Sequence, residues 1–240
     1  MLDSRVDYPG MPGRQALERI DLVIFDCDGV LIDSEPIASR TLAETLQGAG
    51  IAITAAEAHL KFTGNSESII GEMCRRDYGI TDIPELFQTW HQRLFEEFSR
   101  SLLPIPGISD VVYSLDRPKC VASNSTMRRL RNSLGILDLW SAFGEGVFSA
   151  EVVARPKPAP DLLLHCAEHF RARPSRCVMI DDSIHGVASA VSAGMTAVGF
   201  IDPADPRPQR HAALVAAGAF AVAVGAEHLG AILEDVGGTL

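Results

Sequence analysis

Four short stretches of the chain concentrate the residue types that move protons, hold phosphate or bind cations. In the first, the apolar run LVIFD (Leu22 to Asp26) leads into Cys27-Asp28-Gly29-Val30, which sets two carboxylates two residues apart. In extended backbone, residues i and i+2 share a side, so Asp26 and Asp28 can face one pocket. Asp-Gly is equally a common turn dipeptide, and the pair alone does not decide between the two. In the second, KCVAS ends at Ser123 and is followed by Asn124 and Ser125, before a helix predicted to begin near Thr126. Such residues cap helices, and the free N–H groups of a helix N-terminus attract an anion; the two roles are compatible.

The third stretch, Arg155-Pro156-Lys157-Pro158-Ala159-Pro160-Asp161, places a lysine between prolines. A loop lysine is ordinarily a surface residue, but here the prolines restrict the backbone around it, and Pro160 suits the first turn of a following helix. In the fourth, CVMID ends in the adjacent acids Asp181 and Asp182. Brought near Asp26 and Asp28, they would repel strongly, so a cation is expected among them. A small set of hard oxygen ligands favours Mg²⁺ over zinc. The histidines, His185 included, lack metal-ligand spacing. The five cysteines are widely spaced without a CxxC pair, which predicts free thiols.

Something must bring these four stretches together. LVIFD, KCVAS, CVMID and TAVGF (Thr196 to Phe200) are short buried runs, with weaker candidates at GVFS and AFAVAV, and each lies beside a helical pattern. Strands alternating with helices predict an α/β fold, a doubly wound parallel sheet with helices on both faces. In such sheets ligands bind at the carboxyl ends of the strands, where Asp26, Ser123 and Asp181 fall.

Between Glu35 and about Leu103 no strand run occurs. Leu86, Phe87, Trp90, Leu94, Phe95 and Phe98 recur at helical spacing, with Asp82 and Glu85 placed as a capping box. Ile37, Thr41, Leu42, Thr45, Leu46 and Ala49 mark a second amphipathic helix. These stripes read as core packing. The pattern predicts an all-helical cap domain over residues 34–103, inserted between two parts of a core domain, 1–33 and 104–240, with a leader mobile to about residue 13.

At 240 residues the chain can bury a substantial core, and 47% apolar with 22% charged residues is ordinary for a globular protein. A net charge of −10 opposes attraction to nucleic acid or an anionic membrane. No apolar run spans a bilayer and no signal-like segment opens the chain, so a cytoplasmic location is expected.

Together the four stretches resemble, in order, motifs one to four of the haloacid dehalogenase-like (HAD) hydrolase superfamily: FDCDGVLIDSE, the strand-final Ser123, the lysine of RPKPAPD, and IDDSIHGVASAVSAGM. The DSE after the first motif and the helical insert resemble the β-phosphoglucomutase-like branch, which includes sugar-phosphate phosphatases such as 6-phosphogluconate phosphatase. The resemblance implies a Rossmann-like core and a Mg²⁺-dependent phosphatase acting on a small phosphorylated metabolite. It makes Asp26 the nucleophile that forms an aspartyl-phosphate and Asp28 the general acid and base. Ser123, Asn124 and Lys157 would hold the phosphoryl group. Asp26, the Asp28 carbonyl and Asp182 would hold Mg²⁺, with Asp181 either behind them or on the metal.

Asp28 argues against dehalogenation, whose enzymes lack that acid, and against phosphonate hydrolysis, whose enzymes carry a small residue there and a cap lysine. The nearer rival is a phosphosugar mutase of the β-phosphoglucomutase type, which grips a second phosphate with the cations of a cap loop LKGxSRE. Here the matching loop, Phe62 to Glu67, has Thr63 and Glu67 in their place, although Lys61 is close in sequence. Gly64, Asn65 and Ser66 are candidates for bonding sugar hydroxyls, or form a plain loop and cap before a helix over Glu67 to Arg76. Glu35 reaches the pocket from the hinge, or is a first-turn helix acid. A non-catalytic module that has kept the fold is the reading from another class.

Overall fold

The computed structural model describes residues 20–205 and 207–237; the leader expected to be mobile lies outside the described residues. The core is a six-stranded, wholly parallel sheet of β1 (Leu22–Phe25), β2 (Lys119–Ser123), β3 (Val147–Ser149), β4 (Cys177–Asp181), β5 (Thr196–Ile201) and β6 (Ala221–Val224), in the order β3-β2-β1-β4-β5-β6. Both weaker strand candidates are therefore strands.

Side chains alternate along β1, so Leu22 and Ile24 pack on one face while Val23 and Phe25 pack on the other. The first face is covered by α8 (Asp161–His169), α9 (Ile184–Ser192) and α10 (Arg210–Ala216), through Leu162, Cys166, Val187 and Leu214. The second is covered by α5 (Ile108–Ser114), α6 (Met127–Ile136), α7 (Trp140–Phe143) and α11 (Gly225–Gly237), through Val112, Leu130, Phe143 and Leu229. A strand buried on both faces reads as an unbroken apolar run, which is why LVIF was legible. The order in which strands are added reverses between β1 and β4: β2 and β3 lie on one side, β5 and β6 on the other. That crevice is the switch point where such sheets bind ligands.

The cap is inserted after β1 and consists of α1 (Glu35–Gly48), α2 (Ala55–Phe62), α3 (Glu67–Tyr78) and α4 (Ile83–Ser101). Its two connectors run antiparallel, with Asp33 N–H donating to Leu103 O at 3.0 Å and Ile105 N–H to Leu31 O at 3.0 Å. The apolar stripe of α4 buries Leu86, Trp90, Leu94 and Phe98, and the Trp90 indole donates to Thr41 Oγ1 at 3.1 Å, joining α4 to α1. At α4, Asp82 accepts from Glu85 N–H; the reciprocal capping box forms instead at α2, between Thr54 and Glu57. α3 also runs two residues beyond the predicted Arg76, to Tyr78, where Gly79 ends it in the left-handed conformation.

Candidate active site

All four stretches meet at the carboxyl edge of β1, β2 and β4. Asp26 follows β1 directly, and its N–H donates to Ile180 O at 2.9 Å, which anchors it beside β4. Lys157 Nζ lies 2.9 Å from Asp26 Oδ1 and donates to Asp181 Oδ2 at 2.7 Å. The first is an ion contact that gives the buried Asp26 Oδ1 the ammonium as its neighbour. Lys157 is only 4% exposed. Burial alone would lower its pKa, but Asp181 and Asp26 outweigh it and hold the ammonium charged. Its loop is fixed by Asn124, whose side chain accepts from Lys157 N–H at 3.0 Å and donates to Lys157 O at 3.0 Å. The Asn124 side chain thus holds the lysine loop, and Thr126 rather than Ser123, Asn124 or Ser125 caps α6. Ser123 Oγ accepts from Ser125 N–H at 3.1 Å.

Asp26, Asp181 and Asp182 present oxygens within 4.8 Å of one another. Burial drives the Asp26 carboxyl well above the usual range; Lys157 opposes this, and Asp181, Asp182 and Asp28 add to it. Asp182 is pushed up to about 8 by burial, Glu35 and Asp181, against Arg210 and Arg207. One ammonium does not offset this crowding, and the all-carboxylate donor set suits a hard divalent cation such as Mg²⁺. The residues present therefore fit the ion. Asp181 is already satisfied, because Oδ1 accepts from Ser183 N–H at 2.9 Å and Ser183 Oγ at 2.7 Å, while Oδ2 holds Lys157.

Two glycines make this packing feasible. A Cβ on Gly186 would stand 1.8 Å from Asp181 Cγ, so α9 can approach β4 only with glycine there. At Gly29, φ is +76°, and a Cβ would lie 2.9 Å from Asp182 Cγ.

Asp28 sits in a separate cradle. Its Oδ1 accepts from Arg129 at 2.7 Å and from Ser34 Oγ through a short hydrogen bond, and Oδ2 accepts from Ser125 Oγ at 2.6 Å. Burial alone would raise its pKa, but Arg129 and the two hydroxyls outweigh it and hold the carboxylate ionised. Arg129 itself is 8% exposed and lies over the Phe98 ring, 5.6 Å from its centroid.

A cleft between core and cap opens over these groups. Asp26, Asp28, Ser123, Asn124, Lys157 and Asp182 line it from the core; Glu35, Thr63, Gly64, Asn65 and Glu67 line it from the cap. Gly64 and Asn65 thus reach the cleft, whereas Ser66 caps α3 by accepting from Ile69 N–H. Glu35 does reach it, paired with Arg207 at 3.0 Å. Burial pushes Glu35 up to about 7, with Arg207 and Arg210 pulling it down. Lys61 turns away, bound to Asp77 at 2.8 Å and Tyr78 OH at 3.1 Å. Glu67 instead presents a carboxylate held by His91 Nε2 at 2.9 Å.

Arg129, Arg207 and Arg210 contact these groups without having been singled out from the sequence, and Ser34 and Ser125, named there only within the DSE and as a cap or anion candidate, bond to Asp28. A signal existed for Arg129: it precedes Ser133 by four residues, so both lie on the inner face of α6, and both are buried. Nothing in the sequence tied Arg207 or Arg210 to Asp182.

Residues 20–194 match the family model described as haloacid dehalogenase-like hydrolase. The 6-phosphogluconate phosphatase of Escherichia coli K12 is 31% identical over 194 residues, covering 79% of this chain and 86% of that protein. A HAD family hydrolase from Deinococcus radiodurans, solved with phosphate and sodium bound, matches with a TM-score of 0.74 and 30% identity, covering 91% and 96% of the two chains. A β-phosphoglucomutase-like protein from Thermotoga maritima matches with a TM-score of 0.71 and 26% identity, over 90% and 99%. The chain belongs to the haloacid dehalogenase-like hydrolase family. With relatives named as phosphatases, it is a hydrolase acting on phosphate monoesters.

Proposed function

We propose that the protein is a Mg²⁺-dependent phosphatase of a small phosphate monoester, a sugar or sugar-acid phosphate, working through an aspartyl-phosphate on Asp26. The observation that carries this reading is the Asp26–Lys157–Asp181 arrangement: a buried carboxylate in contact with an ammonium that is locked in place from behind. A carboxylate so placed is oriented for attack, and the ammonium offsets charge on the phosphoryl oxygens. Asp26 attacks phosphorus, and the bond to the leaving oxygen breaks as Asp28 gives that oxygen its proton. Water then attacks the acyl phosphate, losing its proton to Asp28, and inorganic phosphate departs. For the first step Asp28 must leave the cradle of Arg129, Ser34 and Ser125, which favours its charged form, and take up a proton from solvent; having given that proton away it is ionised for the second step, where it accepts one from water.

Ser123 and Lys157 hold the phosphoryl group, and Asn124 contributes by fixing the lysine loop. Asp26, Asp182 and the Asp28 carbonyl would hold Mg²⁺, with Asp181 behind them. Bound there, Mg²⁺ neutralises the phosphate dianion and the charge that develops on it. The cap, residues 34–103 between core parts 1–33 and 104–240, closes over the substrate, with Glu35, Gly64 and Asn65 able to reach its hydroxyls.

The phosphatase names among the relatives, for 6-phosphogluconate and for fructose 1-phosphate, support this substrate class. Support for hydrolysis over mutase activity comes from the cap loop, where Lys61 is spent on Asp77 and Glu67 adds an anion. Among the described residues no helix is long and apolar enough to cross a membrane, consistent with a cytoplasmic enzyme. Phosphate release from an aryl phosphate and a panel of phosphorylated sugars and sugar acids, with and without Mg²⁺, tests the proposal. Mg²⁺-dependent turnover is expected; its absence across the panel would refute it.

A further inference from the structure

The ion network behind Asp182 joins the metal-binding side of the site to the cap. One guanidinium, that of Arg210, donates to both Asp182 Oδ2, at 2.9 Å, and the Asp182 carbonyl oxygen. Its Nε lies 3.1 Å from Asp205 Oδ2, which braces the fork from the far side. Arg207 is braced by the same acid, with Nε donating to Asp205 Oδ1 at 2.8 Å. Its terminal nitrogen stands 3.5 Å from Asp182 Oδ2 and 3.0 Å from Glu35 Oε2. All five side chains are less than one-fifth exposed. Glu35 opens α1, the first cap helix, whereas the other four residues belong to the core.

We propose that Arg207 and Arg210 are positioning residues, a clamp that orients the Asp182 carboxylate for the divalent cation and, through Glu35, couples cation binding to the cap. The proposal rests on the metal-dependent reading above. The planar Arg210 guanidinium meets Asp205 at Nε and Asp182 at one terminal nitrogen, so it holds Asp182 against a braced partner, which a single ammonium does not. Gly29 bounds the same carboxylate on another side, so Asp182 is held between backbone and fork. Partners behind a ligating carboxylate set its orientation, and their loss typically costs about 10- to 100-fold in metal affinity. Because Arg207 is shared between Asp182 and Glu35, a cap movement that separates Glu35 from Arg207 must alter the cation's affinity, and the cation must alter the cap by the same coupling.

Mn²⁺ binding to the full-length apo protein, measured by calorimetry and electron paramagnetic resonance, tests the clamp, with an apo melting curve for each variant. Arg210→Met and Arg210→Lys are both expected to weaken Mn²⁺ about tenfold or more. The lysine keeps the charge and loses the fork; should the methionine variant not melt cooperatively, the lysine variant decides. Hydrogen exchange over Glu35 to Ser39 tests the link to the cap: Mn²⁺ is expected to slow it in the parent protein and not in Arg207→Met. Unchanged Mn²⁺ affinity in folded Arg210→Lys would overturn the clamp, and Mn²⁺-dependent protection kept in Arg207→Met would overturn the cap coupling. A parent protein that binds no Mn²⁺ would overturn the metal-dependent reading itself, a failure distinguishable from both.

Discussion

Arg129 donates to Asp28 Oδ1 at 2.7 Å across 101 residues of sequence, and the carboxylate two residues after Asp26 is therefore held ionised by a buried cation. Removing one partner of such a pair strands the other, so Arg129→Met is expected to cost on the order of 3 kcal/mol in urea denaturation. Its pH dependence has a definite sign. Asp28 has a folded pKa below its unfolded value of about 3.9, so its contribution is fully present above that pH and lost as pH falls through the folded value. The gap between parent and variant should therefore be widest near neutrality and narrow below about pH 4.

Asp26→Asn is expected to abolish turnover and covalent phosphorylation while leaving the fold intact. The amide keeps the shape and cannot form the acyl phosphate. Loss of a carboxylate from a crowded cluster relieves repulsion, so the apo variant should melt no lower than the parent. Acid-stable radiolabel from a phosphorylated substrate, or more than a trace of activity, in this variant would show that the nucleophile lies elsewhere.

Gly186→Ala should damage the site more than its single methyl suggests. The added carbon would fall 1.7 Å from Asp181 Oδ2, the oxygen that holds Lys157, and α9 cannot withdraw without opening its seam with β4. A large loss of kcat is expected, with a destabilisation of about 1–3 kcal/mol from overpacking. Parent-like kcat in a folded variant would count against Asp181 as the anchor of Lys157.

What the sequence disclosed and what it concealed follow one physical division. Strands buried on both faces are written as apolar runs, and their final residues fall where ligands bind, so Asp26, Ser123, Asp181 and Asp182 were singled out from strand ends and Lys157 from the prolines around it. Arg129, Arg207 and Arg210 were not. Their meaning depends on which acid they meet, 101, 172 and 28 residues away, and a lone arginine in a helix or loop carries no local mark of that partner. Lys61 illustrates the opposite error of locality: close in sequence to the cap loop, it is turned away by Asp77 and Tyr78.

The cation's effect on stability should depend on pH. Glu35 and Asp182 have folded pKa values raised to about 7 and about 8, above their unfolded values of about 4.3 and 3.9. Between those limits the folded state binds more protons than the unfolded chain, so apo stability falls as pH rises through the window. A divalent cation on Asp182 replaces its proton and reduces the penalty. Scanning calorimetry is expected to show the apo Tm dropping from pH 5 to pH 8, and Mg²⁺ raising Tm more at pH 8 than at pH 5. An equal Mg²⁺ effect at both would mean that Asp182 does not meet the ion.

The choice between hydrolase and mutase turns on the cap side of the cleft. A mutase must hold a bisphosphate by its distal phosphate, which calls for a cation facing Asp26 from the cap. The structure offers Thr63, Gly64 and Asn65 there, together with the Glu67 carboxylate, which His91 holds in place. A distal phosphate brought against Glu67 would meet repulsion rather than a partner, so the proposed phosphoenzyme would be left to react with water. Glucose 1-phosphate followed by phosphorus NMR with Mg²⁺ should yield inorganic phosphate without glucose 6-phosphate. Accumulation of glucose 6-phosphate would reverse the assignment, and Glu67→Arg is the substitution expected to move the enzyme in that direction by slowing phosphate release relative to transfer.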